Sequence, residues 1–399
     1  MISFEELESI IDPIPLRKKR ELEVYYFMYQ IASNKSTLDE FDRYFRDVLM
    51  AGQHNKKHVL MSAEVYALAG DKDKATEILK RYGKNLDDLD LINIATLVRC
   101  IIGERPEFDP SIELGVLTAC AHLVPDYNPV KDFLRLDPNE AEYSMFIRNL
   151  VLRDKDTPGR KDLIEEAIKM LKRVKDKDEL VMDKVYIAAA LKKVGDERYR
   201  DYVKELEGVL RGKATMKGAT AMLLYYAFLK DKEELDQFLN TLTASQTSGG
   251  KRSGKEEKVS LITLLLNAYD YTKEAKLLDL ALKEYGEVKW GKDTSEKLSV
   301  LGVFIAVVDR PEVTLSFLRE LTDIVEIDAI NVLALAPILG IAYVNIKGDD
   351  RLIQYVFSKA EDQGTKLAFM PGFIENAACE QVRVRLVLPE PPCSLGPVL

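Results

Sequence analysis

His54 and His58 stand four residues apart in GQHNKKHVL. On a helix this spacing puts both imidazoles on one face, the geometry of a shared metal. A zinc site needs a third ligand and usually a fourth, yet there is no HExxH motif and the other histidine is His122. No metal is expected, and the two rings read as solvated side chains at a helix end. Gly249 to Glu256 reads GGKRSGKE, close in spacing to a phosphate-cradling loop through Gly249, Gly254 and Lys255. Glu256 stands where a Ser or Thr would hold magnesium. The segment also follows a helix and the polar run TASQTSGG, where a phosphate loop follows a buried strand. No nucleotide and no other cofactor is expected. Lys251, Arg252 and Lys255 remain candidates for contact with a phosphate backbone or an acidic partner.

A second basic cluster, Arg17, Lys18, Lys19 and Arg20, leads into Tyr25, Tyr26, Phe27 and Tyr29. Cations and aromatic rings together bind single-stranded nucleic acid. Here the rings fall at helical spacing with Met28 and Ile31, which places most of them in a core. Nucleophilic catalysis has little to work with. No GxSxG is present, and three histidines leave few general bases near neutral pH. Carboxylates are plentiful on charged helix faces, but sequence does not show which of them meet. The expectation is a protein that is not an enzyme, with a helical enzyme using groove carboxylates as an alternative.

The elements that position these residues read as helices. The 399 residues carry 57 basic and 66 acidic side chains, a net charge of −9, which argues against a protein that coats DNA. Cys100, Cys120, Cys379 and Cys393 form no CxxC pair, so a reduced, cytoplasmic protein is the simplest expectation. At the N-terminus acids precede any apolar stretch, the wrong order for a secretory signal. The apolar run Ala329 to Ile346 contains Asn331, Pro337 and Asn345, and reads as a buried helix in place of a membrane span. Gln and Asn are scarce beside Lys and Glu, a bias common in proteins from hot environments and also in helix surfaces.

Val59 to Ala69 is apolar at three- and four-residue spacing, Gly70 supplies a permissive corner, and Asp71 opens a second helix that stops at Gly83. The same grammar recurs, with turns near residues 35, 71, 105, 155, 196, 231, 271, 310 and 348. The period is about 34 to 41 residues with one gap of about 50, the signature of an α-solenoid of some eight or nine antiparallel helix hairpins. Prolines 106, 110, 125, 129 and 138 mark the long gap as an irregular connection or hinge. The expected organisation is therefore hairpins over 1–103, a connection over 104–138, hairpins over 139–380 and an extended Pro-rich tail over 381–399. Val382 to Leu388 alternates with period two, as a strand does. The tail either docks on the last helices or is an addition foreign to the fold.

Val59 to Gly83 resembles a tetratricopeptide repeat. Ala63 and Tyr66 stand on the first helix, Gly70 at the turn, Ala75 at the close-packing position and Leu79 in the next apolar slot. Ala275 fits the alanine position of another pair, whereas Arg200 and Ile353 depart from it. The resemblance implies an all-α superhelix whose concave groove binds a peptide or partner protein. The expected function is thus a non-catalytic interaction scaffold or adaptor. A nucleic-acid-associated repeat protein using the 251–258 loop is the alternative, and homo-oligomerisation is open.

Overall fold

In the computed structural model the described residues are 1–212, 215–247, 254–393, with the side chains of 244–247 excepted. They form 21 α-helices and no strand. The chain groups into two compact units, Met1–Asp137 with Val325–Leu399, and Pro138–Ile324.

The first unit contains α1 (Phe4–Ile11), α2 (Leu16–Ala32), α3 (Leu38–Tyr44), α4 (Lys56–Leu68), α5 (Lys72–Tyr82), α6 (Leu89–Ile101), α7 (Leu114–Leu123) and α8 (Val130–Arg135). A single π-helical turn, Phe45–Leu49, prolongs α3. The second unit contains α9 (Glu140–Val151), α10 (Lys161–Met170), α11 (Lys177–Lys193), α12 (Tyr199–Leu210), α13 (Met216–Leu229) and α14 (Lys232–Thr247). It continues with α15 (Lys255–Thr272), α16 (Ala275–Glu287), α17 (Ser295–Val307) and α18 (Pro311–Ile324). The chain then returns to the first unit as α19 (Asn331–Asn345), α20 (Arg351–Lys359) and α21 (Gln363–Leu386).

The hairpin grammar has a concrete backbone cause. After α4, Gly70 N–H donates to the Ala67 carbonyl at 3.1 Å and Asp71 N–H to the Tyr66 carbonyl at 2.9 Å. This crossed pair needs a left-handed residue between the two donors' helix and the exit, and Gly70 provides it at φ 88°. Asp71 then caps α5 by accepting from Lys74 N–H at 3.1 Å. The same crossed pair closes α2 at Asn34, α6 at Gly103, α11 at Gly195 and α19 at Lys347. Paired helices pack on one another, as α4 with α5, α11 with α12, α15 with α16 and α17 with α18. Alternate helices also pack: α2 with α4 and α4 with α6 in one unit, α11 with α13 and α13 with α15 in the other. Ala63, Tyr66, Ala75 and Leu79 are all buried. Tyr66 reaches back to Phe41 and Phe45, and its hydroxyl donates to Asp42 at 2.6 Å.

Four features differ from the sequence reading. Val382 to Leu386 is the last turn of α21, because its alternating valines and arginines sit on a helix already packed along its length. The 104–138 connection carries α7 and α8 and buries Val116, Leu117 and Phe133, so it belongs to the core of the first unit. Helices α19–α21 group with the first helices and not with the 139–324 hairpins. The four cysteines are paired, Cys100 with Cys120 across α6 and α7, and Cys379 with Cys393 between α21 and the segment after it. Separations of 20 and 14 residues conceal such pairs in sequence, since the packing of α6 on α7 brings one together and the return of the chain along α21 the other. Within Ala329 to Ile346, Asn331–Asn345 forms α19, which buries one side and leaves Leu333 exposed, and no helix among the described residues is long and apolar enough to cross a membrane.

Helix α21 packs against both α19 and α2. The crossing with α19 is close enough that a Cβ on Gly340 would stand 2.6 Å from the Phe373 carbonyl oxygen and 2.9 Å from Ala377 N. Neither backbone atom can rotate away. Gly340→Ala should therefore cost about 1–3 kcal/mol by forcing the helices apart. Gly302→Ala, on α17 with open space around it, should be neutral or stabilising by up to about 1 kcal/mol. Urea denaturation midpoints of the two variants check this contrast.

Candidate functional site

Helix α4 is buried on every side: each residue from His58 to Leu68 is shielded from solvent. A polar side chain on such a helix cannot reach bulk water and must find a partner or a cavity. Glu64 finds a cavity. It is 4% exposed and lines a space of about 190 Å³ inside the first unit.

Each wall is set by helical spacing. Glu21 and Tyr25 come from one face of α2, four residues apart. Lys57, Met61 and Glu64 come from successive turns of α4, and Asp90, Asn93, Ile94 and Leu97 from α6. Glu113 precedes α7, and Glu375 comes from α21. Pro392 and Cys393, held to α21 through Cys379, complete the lining. Asn93 fixes the corner by donating to the carbonyls of Leu89 and Ser111, both at 2.9 Å, while its side-chain oxygen accepts from Glu113 N–H at 2.8 Å.

The electrostatics are negative. Lys57 Nζ sits 3.1 Å from Glu21 and 3.5 Å from Asp90. Lys18 pairs with Glu375. No hydrogen bond or ion pair reaches Glu64 among the described residues, and burial alone pushes its carboxyl up to about 8. The Tyr25 hydroxyl is held well above the usual phenol range by burial and then by the charges of Glu375, Glu21, Glu64 and Asp90. One phenol thus senses four acids from four helices. The second unit offers a contrast. Asp183, fully buried on α11, lies 3.2 Å from Arg148, and burial still outweighs that cation to push it up to about 7. Asp183 has a resident cation, and Glu64 has none among the described residues.

The residues singled out from sequence fall elsewhere or only at the margin. His54 is exposed in the loop before α4, while His58 is buried in the first turn of α4, so the two share no helix face. Burial lowers the His58 pKa. No group of three or more metal-ligating side chains comes together among the described residues. Lys251 and Arg252 lie outside the described residues. Lys255 opens α15, donates to the Trp290 carbonyl at 3.1 Å and lies 3.7 Å from Glu296. In the 17–20 cluster, Lys19 pairs with Asp12 at 3.1 Å, Arg20 with Glu23 at 2.6 Å, and Lys18 with Glu375. Arg17 lines a smaller neighbouring cavity with Asp88 and Asp90. Sequence reasoning missed Glu64, although an acid inside the all-round apolar run VLMSAEVYALA is a visible signal. Compared with known proteins, the chain matches no family model, no curated protein and no solved structure.

The raised Glu64 pKa makes a signed prediction. The folded state holds a proton that the unfolded state releases near the ordinary value of 4.5, so this residue's contribution to stability falls as pH rises from about 4.5 to about 8. Glu64→Gln removes the liability. Its stability relative to the parent should be similar near pH 5 and greater by a few kcal/mol near pH 9, at about 1.4 kcal/mol per pH unit across the window. Paired urea titrations at pH 5, 7 and 9 measure the difference and cancel contributions, such as that of Asp183, common to both proteins.

Proposed function

We propose that the protein is a non-catalytic interaction scaffold that takes an extended segment of a partner protein on the faces of α2, α4, α6 and α7. The observation that supports this reading is the chain's own segment Leu388–Cys393. It lies outside any helix, buries Leu388 and Pro392, and lines the Glu64 cavity with Pro392 and Cys393. The Pro391 carbonyl oxygen comes within 3.2 Å of the position a Cβ would take on Gly115, in the first turn of α7. A surface that accommodates a proline-containing backbone at such range has the form of an extended-peptide site. Joined to α21 through the backbone at Leu386 and pinned at its far end through Cys379, the segment is a local competitor at high effective concentration.

The same cavity supports a catalytic reading through one observation: a carboxyl kept protonated near neutral pH lines the same space as the Lys57–Asp90 ion pair, the separation of states that acid–base work requires. A compound that copurifies with the protein, and is converted by the parent and not by Glu64→Gln, would promote it. The nucleic-acid alternative draws less support, since Lys18, Lys19, Arg20 and Lys255 are already engaged with acids.

Selection of linear peptides from a random displayed library against the full-length protein tests the scaffold reading. Selected peptides should slow hydrogen exchange in α2, α4 and α6. Cys393→Ser removes the disulfide that pins the far end of the segment and leaves its backbone attachment to α21, so it should bind them several-fold more tightly. Failure of both proteins to select any peptide, or protection confined to other helices, would overturn the reading.

A further inference from the structure

The cavity around Glu64 has a composition that selects one class of ligand. Its floor is a carboxyl that is 96% shielded, faces open space and has no partner among the described residues. Its apolar wall is Met61, Ile94, Leu97 and the Tyr25 ring, suited to an alkyl stem. Glu21, Asp90, Glu113 and Glu375 also line it. Lys57 is the one cation among the lining residues, and it is shared between Glu21 and Asp90. Lys18, outside the lining, pairs with Glu375 and lies 3.9 Å from Glu21. A neutral guest would leave the acids uncompensated, and an anion would be repelled. A volume of about 190 Å³ holds a single long side chain.

We propose that this cavity is the receptor for one cationic side chain of the partner, a lysine or an arginine, whose stem packs between α4 and α6 and whose head pairs with the Glu64 carboxylate. The proposal deepens the peptide-scaffold reading and rests on it, since it names the residue that anchors the bound segment. It also explains why the buried stretch of α4 keeps an acid without a partner among the described residues: the charge that completes the pair arrives with the ligand. In the second unit Arg148 supplies the equivalent charge to Asp183 from within the chain.

Binding must then be linked to a proton. At neutral pH the free protein holds Glu64 protonated, and the incoming cation stabilises the carboxylate, so close to one proton leaves per molecule bound. The other groups facing the site are Glu21 and Tyr25 from α2, Lys57 from α4, Asp90 from α6, Glu113 before α7 and Glu375 from α21. The removal of Glu64 isolates its share of the proton release.

The probes are Nα-acetyl-lysine N-methylamide, the arginine counterpart and the norleucine counterpart, which keeps the stem without the charge. Calorimetric titration of the full-length protein in phosphate and in Tris reports proton release through the difference in apparent heat. The lysine or arginine probe should bind, the norleucine probe should bind at least tenfold more weakly, and the affinity should rise several-fold per pH unit from 6 to 7.5 and level off above 8. Glu64→Gln should lose the pH slope and at least tenfold in affinity, while Glu64→Asp should keep the slope with weaker binding. Equal binding of charged and norleucine probes, or an unchanged slope in Glu64→Gln, would overturn the proposal. Charged probes that bind as described to a protein that selects no peptide would leave the cavity assignment standing and remove the scaffold reading. Selected peptides that bind without a lysine or arginine would do the reverse.

Discussion

The crossing of α21 with α19 and α2 is the contact on which the first unit depends. Three helices from opposite ends of the chain meet there, and the approach to α19 is possible because Gly340 leaves the Phe373 and Ala377 backbone unobstructed. Gly372 faces Ala336 and the Pro337 ring in the same seam. Small residues bring the helix axes together, and the dispersion contacts of the flanking aromatic rings Tyr343, Phe369 and Phe373 fill the space beside them. Without this crossing α21 would not present Glu375 beside Lys18 and Glu21, and Cys379 would not hold Cys393 at the cavity.

Burial on all sides of α4 is the second constraint, and it follows from the first helices being flanked on both sides by other helices. An ordinary surface helix solvates its acids at no cost. A helix surrounded by α2, α5 and α6 has no such outlet, so the free energy of Glu64 is set by desolvation alone. Asp183 on α11 meets the same constraint and answers it with Arg148. The two units thus share a physical problem, a carboxyl on a fully packed helix, and resolve it differently.

The local grammar of the chain was legible because it is written in short-range chemistry. Turns at Asn34, Gly70, Gly103, Gly195 and Lys347 all close by the same crossed hydrogen bonds, and each lies within a few residues of a turn read from sequence. Two of the five use a residue other than glycine, which shows why a repeat consensus fades while the geometry persists: the left-handed corner costs Asn or Lys a modest amount that packing repays. The strand expected at Val382 to Leu388 failed for the opposite reason. Alternation is a weak local signal, and a helix already anchored by Phe369, Phe373 and Ala377 simply extends through it.

The sequence by itself determined that the chain is helical, where its helices turn, and that Ala63, Tyr66, Ala75 and Leu79 face inward, since each of these follows from spacing within one or two turns of helix. Only the tertiary structure decided which acids meet, which cysteines pair and that the last helices join the first. Glu21, Glu64, Asp90, Glu113 and Glu375 span more than 350 positions, and no periodicity relates them. Their convergence is a property of how helices stack, a sum of many weak contacts over distant pairs, and such contacts leave no local pattern to read.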